Sequence, residues 1–456
     1  MSSARSWSDL PSVLQQVLPK ANKAASSDGQ LKAFTTSDAI TAPATFGIKA
    51  AGSEQTLLVT VSNGTAELRD GTVKEASFVL SALPEQWEQF FKQTPVAPYQ
   101  SYWGMYGMNI KQEGIEVLGD QASFAHWTHV WRRVLELLHD AYAGPTPEDD
   151  QDENEEDAIV GRYVTLKDIP IWGKAKVYYE KSGSGPVPIV FLHTAGSDGR
   201  QYNGVLNDSR MLKKCTMYAL HLPAHGKGFP YEGYWPGNHT NTEESYVGCI
   251  SAFVKKLGLE RPIICGASMA GQVSLACAIH ADKVGCRGTI PLQGSDYLNM
   301  ERAWGDRSPY VNQALWNPEW IYGMMSPTAP LANRQLVWPL YSAQAYGIFH
   351  GDLDFYFGGW DGRSRMKDID TKYKLIEIQH NARLAPIRKC PVYMLTGEYD
   401  WSNTPAMSQA TCDKISGAKH QAMKGLGHFP ATENPRVFVK YLIEAIDHIV
   451  GTANGA

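Results

Sequence analysis

Hydrophobic positions along this chain fall into two blocks with different rhythms. In the first, period-two alternation over Thr45 to Lys49, Leu57 to Val61 and Ser77 to Ser81 predicts strands with one buried face, and Asn63-Gly64 is the dipeptide of a tight hairpin turn. Leu10 to Val17 predicts a short amphipathic helix, Pro84-Glu85-Gln86-Trp87 opens another with proline in its first turn, and Phe124 to Leu138 reads as a longer one. The second block carries short, mostly apolar runs near Val177 to Tyr179, Pro188 to Leu192, Met217 to His221, Pro262 to Cys265, Thr289 to Leu292, Val392 to Thr396 and Gln421 to Lys424, alternating with helical stretches. Such runs suit strands covered on both faces, so a mostly parallel α/β sheet is expected.

Between the blocks, Ala143-Gly144-Pro145-Thr146-Pro147 leads into a run from Glu148 to Asp157 with eight carboxylates and no basic residue. Self-repelling charge with few apolar residues cannot build a core, so the run is a solvated linker. The expected organisation is a small α+β domain over 1–142, an acidic linker over 143–158 and an α/β domain over 159–456. The gap from Leu292 to Pro391 exceeds what one helical crossover needs. It predicts an inserted helical cap over about 296–385, covering the strand ends where a site would sit.

Composition excludes several functions. The eight linker carboxylates outweigh the whole formal net charge of −5, and no basic tract remains to neutralise phosphates, so no nucleic-acid partner is expected. Seven cysteines without paired spacing read as small core residues in a reducing, cytoplasmic compartment. The first residues hold no long apolar h-region, so no secretory leader is expected, and no stretch approaches the roughly 18 residues that span a bilayer. His126 and His129 have helix-compatible spacing but no third ligand nearby, so no metal is expected. Nor does a G-x-G-x-x-G motif stand between a strand and a helix, which leaves no cofactor expected.

The chemistry concentrates in three places. Ile263-Ile264-Cys265-Gly266-Ala267-Ser268-Met269-Ala270-Gly271 is a buried strand running into a turn of small residues with serine at its apex, where bulky neighbours would clash. Pro391 to Asp400 is an apolar strand opening into a loop that carries an acid, and Gly427-His428-Phe429-Pro430 follows a further strand. A serine hydroxyl needs a histidine to take its proton and return it to the leaving group, and that histidine needs a carboxylate to fix its tautomer. Ser268 is thus the expected nucleophile, His428 the base and acid, and Asp400 the orienting carboxylate, with Glu398 the competitor for that role. The oxyanion of an acyl-transfer intermediate needs backbone donors. The Met269 amide is one, and the amide of Ala195 or Thr194, in the loop after Pro188 to Leu192, is the other.

Together, His193-Thr194-Ala195-Gly196, Leu222-Pro223-Ala224-His225-Gly226, the Ser268 turn and Gly427-His428-Phe429-Pro430 resemble, in this order, the signatures of the α/β-hydrolase superfamily. The resemblance runs from about Tyr163 to the C-terminus. Thr194 replaces a glycine of the pattern, His221 stands where an aspartate usually precedes Leu-Pro, and Ala270 replaces the last glycine of G-x-S-x-G. His225 is expected to support its loop by hydrogen bonding. In the first block, Phe78 to Ser81 and Gly114 to Asp120 before helical stretches resemble the sterol-carrier-protein-2-like fold. That likeness implies an apolar-ligand site lined by Trp87, Phe90, Phe91, Tyr102, Trp103 and Trp127; the alternative is that these rings are core or pack on the hydrolase domain.

Aromatic and methionine side chains dominate the expected cap, and such side chains make adaptable apolar pockets. Trp304, Trp320, Tyr322, Tyr346, His350 and, beside the acid, Trp401 are the expected substrate-binding residues. The cluster His350, Asp352 and Asp354 either faces a substrate group or caps loops. These features predict a serine esterase or lactonase acting on a small hydrophobic carboxylic ester or lactone. Hydrolysis of a carbon–carbon bond in a β-diketone or dienone by the same residues is the alternative, and a non-catalytic carrier of an apolar ligand is a third. A homo-oligomer is compatible with the sequence.

Overall fold

The computed structural model describes residues 6–35, 44–62, 65–107, 112–151, 156–299, 305, 308, 310–341, 343–345, 347–369, 375–377, 384–386 and 390–453. By internal contacts the chain divides into two units: Met1–Glu148 with Glu301–Thr328, and Asp149–Met300 with Ala329–Ala456.

In the first unit, strands β1 (Ala44–Ala50), β2 (Gln55–Ser62), β3 (Thr65–Thr72), β4 (Phe78–Ala82) and β5 (Glu116–Gly119) form one sheet in the order β3-β2-β1-β4-β5. Only β1 and β4 run parallel. The helices include α1 (Leu18–Ser27), α2 (Pro84–Phe90) and α3 (Thr128–Ala143). Strand β3 escaped the sequence reading because it is an edge strand in which only Ala66 and Leu68 are buried, too few apolar positions to mark a strand. The expected turn at Asn63-Gly64 lies outside the described residues. The helix expected over Phe124 to Leu138 is two helices, Gln121–His126 and α3, meeting at Trp127. Asp120 caps the first by accepting from the amides of Ala122 and Ser123. Trp87, Trp103 and Trp131 are fully buried and pack with Tyr102 and Phe124 as core.

One piece of the expected cap belongs to this unit. The helix Gln313–Tyr322 packs on α3: Glu319, fully buried, pairs with Arg132, whose guanidinium also meets Glu136 at 2.7 Å and lies 4.7 Å over the Tyr322 ring. Trp316 stands edge-on to Trp103 at 5.0 Å. A buried carboxylate is retained only where a partner is fixed, and here α3 supplies it. The insertion expected over 296–385 is therefore divided between the two units.

In the second unit, an eight-stranded sheet is built from β6 (Val160–Ile169), β7 (Gly173–Ser182), β8 (Val187–Leu192), β9 (Cys215–His221), β10 (Ile263–Ala267), β11 (Gly288–Leu292), β14 (Tyr393–Gly397) and β15 (Lys419–Met423); β12 (Leu375–Glu377) and β13 (Leu384–Pro386) pair separately as a hairpin. The order is β15-β14-β11-β10-β8-β9-β7-β6, parallel from β15 to β9 and antiparallel at β7 and β6. Helices α4 (Glu243–Lys256), α5 (Met269–Ile279), α6 (Ile348–Asp354) and α7 (Pro435–Ala453) belong to the same unit. Ile189, Phe191, Cys265 and Ile290 from neighbouring strands join Phe438, Leu442 and Ile446 of α7 in one core. Of the sheet strands, β6 alone escaped the pattern, being an exposed edge with two inward residues in ten. All seven cysteines are buried and free. No helix among the described residues is long and apolar enough to cross a membrane.

Candidate active site

Strand β10 ends at Ala267 and α5 begins at Met269, so Ser268 makes the whole turn alone. Its backbone is at φ 59°, ψ −116°, a conformation that costs a non-glycine residue of order 1–3 kcal/mol and persists only when neighbours enforce it. The enforcement is visible: the Ser268 amide donates to Leu292 O at 2.8 Å, and the Ser268 carbonyl accepts from the Gly271 amide at 2.7 Å. A Cβ at Gly266 would stand 2.2 Å from the carbonyl oxygen of Ala270, and one at Gly271 would stand 2.5 Å from that of Leu292. The close approach thus falls on 266 and 271, which is why alanine is accommodated at 270. Ser268 is 2% exposed.

Two loops beyond the parallel strand ends bring His428 and Asp400 together, with His428 Nδ1 at 2.6 Å from Asp400 Oδ2 and both residues buried. The other carboxylate oxygen accepts from the amides of Ser402 at 2.8 Å and Asn403 at 3.0 Å, which fixes the group's orientation. Glu398 is exposed and accepts from the Gly425 amide instead. Glu433 escaped sequence reasoning. Fully buried, it accepts from the Gly427 amide with one oxygen and from the Phe429 amide with the other, each at 2.7 Å, and so grips the backbone on both sides of His428.

The loop after β8 distinguishes the two expected amides. The Thr194 amide donates to Gln201 Oε1 at 3.0 Å and the Gly196 amide to Asp352 Oδ2 at 2.9 Å, whereas the Ala195 amide has no acceptor among the described residues. His193 pins this loop to the end of β9: Nδ1–H donates to Thr194 O at 2.9 Å, and Nε2 accepts the Leu222 amide at 3.1 Å. Complete burial, together with the nearby His225, lowers its pKa to about 3, so the ring is neutral. Gly196 has φ +65°, and a Cβ there would lie 1.9 Å from the Phe349 ring.

Asp352, on α6, holds this region to the sheet. One oxygen takes the Gly196 amide and His225 Nε2 at 2.7 Å; the other takes Asn241 Nδ2 at 2.7 Å and the Tyr246 hydroxyl at 3.0 Å. His225 donates from both nitrogens, Nδ1 going to Pro223 O at 3.0 Å, and is therefore an imidazolium. Burial opposes charge on both groups, yet it is outweighed: His225, with His239 Nε2 3.4 Å from the second oxygen, holds Asp352 well below the usual carboxylate range, and Asp352 lifts His225 above the usual imidazole. With its acceptor capacity used inside the protein, Asp352 braces the loop rather than meeting a substrate group.

Beyond α6, Phe355–Gly359 is a single π-type turn broken at Phe357 (ψ 64°) and Gly358 (φ 105°). It places Tyr356, fully buried, with its hydroxyl 3.3 Å from Ser402 Oγ, and the Ser268 side chain is among the groups that draw its pKa down against the effect of burial. Gln293, just past β11, is buried at φ 48° with neither side-chain polar atom paired among the described residues. Of the expected substrate-binding residues, Trp401 is buried beside Asp400 and His350 lies half-buried on α6. Trp320 and Tyr322 belong to the first unit, and Trp304 and Tyr346 lie outside the described residues.

A model of the alpha/beta hydrolase family matches residues 189–441, more than half of the chain. The chain belongs to this family and is a hydrolase of the α/β type. Among solved structures it is similar to a thermophilic esterase from Thermogutta terrifontis (16% identity, 63% of this chain and 99% of that one, TM-score 0.48). It is also similar to the enol-lactonase from Burkholderia xenovorans LB400 (16% identity, 63% and 100%, TM-score 0.48) and to an esterase from Exiguobacterium antarcticum (16% identity, 63% and 100%, TM-score 0.48). No curated protein matches the chain.

Proposed function

We propose that the protein is a serine hydrolase that cleaves a hydrophobic carboxylic ester or lactone through an acyl-enzyme on Ser268. The observation that carries this reading is the buried 2.6 Å contact of His428 with Asp400, made beyond the same C-terminal ends of the parallel strands as the strained turn at Ser268. With Nδ1–H given to Asp400, Nε2 of His428 is the nitrogen that takes the Ser268 proton during attack and returns it to the leaving oxygen. The Met269 and Ala195 amides receive the oxyanion, a role the Thr194 amide cannot share while it is bonded to Gln201. Water then follows the same route to release the acid. A hydrophobic substrate is supported by the rings set around these groups, Phe349 beneath Gly196, Tyr356 beside Ser402 and Trp401 beside Asp400.

Intact mass after incubation with a fluorophosphonate tests the reading, with Ser268→Ala and His428→Ala alongside. One adduct, mapping to Ser268 and lost in both variants, is expected, with turnover on a panel of aryl esters and lactones. A folded wild-type protein that neither labels nor turns over any panel member refutes it.

A further inference from the structure

We propose that Tyr356 is a catalytic residue, its phenol hydroxyl donating a hydrogen bond to the tetrahedral intermediate on Ser268 as a third donor beside the Met269 and Ala195 amides. The inference rests on Ser268 being the nucleophile.

Placement is the first argument. Asp352, on α6, and Tyr356, in the π-type turn that follows directly, are four residues apart. Asp352 locks the end of α6 to the Gly196 loop and to α4 through Tyr246, whose ring also meets Phe355 at 4.9 Å. From the other side, Gln272 of α5 donates its amide to the Tyr356 carbonyl at 3.2 Å. Farther along, Trp360 Nε1 donates to Glu243 at 2.7 Å. The segment is thus tied to the helix that begins at the nucleophile, and a donor pre-set in this way needs no reorganisation as charge develops.

Chemistry is the second. Burial and the charge of Asp400 push the phenol up, so it is a neutral donor and not a base. In the resting enzyme its hydroxyl lies 3.3 Å from the hydroxyl of Ser402, whose own amide donates to Asp400, which sets the phenol beside the pair Asp400 and His428. During attack Ser268 Oγ bonds to the carbonyl carbon, the serine proton passes to His428 Nε2, and the carbonyl π pair becomes the oxyanion lone pair. Tyr356 keeps its proton throughout and turns its hydroxyl from Ser402 to an oxygen of the intermediate. When the intermediate collapses, the carbon–oxygen bond to the leaving group breaks and His428 returns the proton to that oxygen.

The test is Tyr356→Phe, which keeps the ring and removes one oxygen. Steady-state kinetics on esters of graded leaving-group pKa should show kcat lower by roughly 10- to 100-fold, less than the loss of a sole oxyanion donor because two amides remain, with KM within about twofold. An equal loss on every ester puts the hydrogen bond on the oxyanion; a loss that grows with leaving-group pKa puts it on the leaving oxygen. The first supports the proposal and the second overturns it. Wild-type kcat in the variant, or an effect on KM alone, overturns it. Should that variant not fold, Tyr356→3,5-difluorotyrosine keeps the packing and acidifies the phenol. Its kcat should then fall on the alkaline side where the wild type's does not, and an unchanged alkaline profile overturns the proposal. Fluorophosphonate labelling separates the failures: a wild type without an adduct at Ser268 removes the nucleophile itself, whereas a labelled wild type and a fully active Tyr356→Phe remove only the tyrosine.

Discussion

Asparagine at position 352 keeps the shape of the aspartate and removes its charge. The carboxylate accepts four hydrogen bonds, two on each oxygen, and an amide can accept on one edge only. The Gly196 amide cannot turn away, so the asparagine oxygen should take that edge. Its NH2 would then face the Asn241 side chain, which can flip, and the Tyr246 hydroxyl, which can rotate. What cannot be repaired is the lost counter-charge of His225. Breaking a buried pair costs roughly 3–5 kcal/mol, and loss of the proton from His225 sets the lower end for Asp352→Asn. The pH dependence follows from the two shifts. His225, raised from 6.5, gives stability that is complete below that value and lost as pH rises through its folded pKa. Asp352, lowered from 3.8, gives stability present above that value and lost as pH falls through its folded pKa. The difference between wild type and Asp352→Asn should therefore be largest between about pH 4 and 6.5 and shrink on either side. Denaturant unfolding at pH 5.5, 7 and 9 measures it, with ester hydrolysis in parallel, since the Gly196 loop loses its brace. A variant within about 1 kcal/mol of wild type at pH 5.5, or a gap that widens with pH, would refute the reasoning.

Glu433→Gln should cost about 2 kcal/mol and lower kcat by roughly tenfold, because one of the two amides flanking His428 then faces an NH2; unchanged kinetics with an unchanged melting curve would argue against the clamp. The His193 ring should stay neutral from pH 7 to pH 4, so its nitrogen resonances should not titrate there. With a pKa lowered from 6.5 to about 3, it should also cost the fold about 2 kcal/mol between pH 6.5 and 5, since the unfolded chain gains a proton that the folded one refuses. In the first unit, Glu319→Gln should destabilise by roughly 3–5 kcal/mol while Arg132→Met with Glu319→Leu recovers most of the loss, a cycle read by denaturant unfolding; equal losses in both would deny the pair its role.

The sequence by itself determined what depends on near neighbours. Parallel strands buried on both faces write themselves as apolar runs, and each such strand of the second unit lies within a few residues of its expected span. Ser268 was legible because its turn demands small residues on either side, and Asp400 and His428 because each follows a strand end. Edge strands β3 and β6 were not legible, since each buries only two residues and so offers too few apolar positions to mark a strand. Only the tertiary structure decided which amide remains free in the loop after β8, because the Thr194 amide is taken by Gln201 and the Gly196 amide by a residue 156 positions away. It decided as well that Asp352 is a brace, since its donors come from four separate segments, and that Glu319 and its helix join α3, since Arg132 lies 187 residues off. A buried charge is assigned by where its partner lies in space, and spacing along the chain carries no record of that.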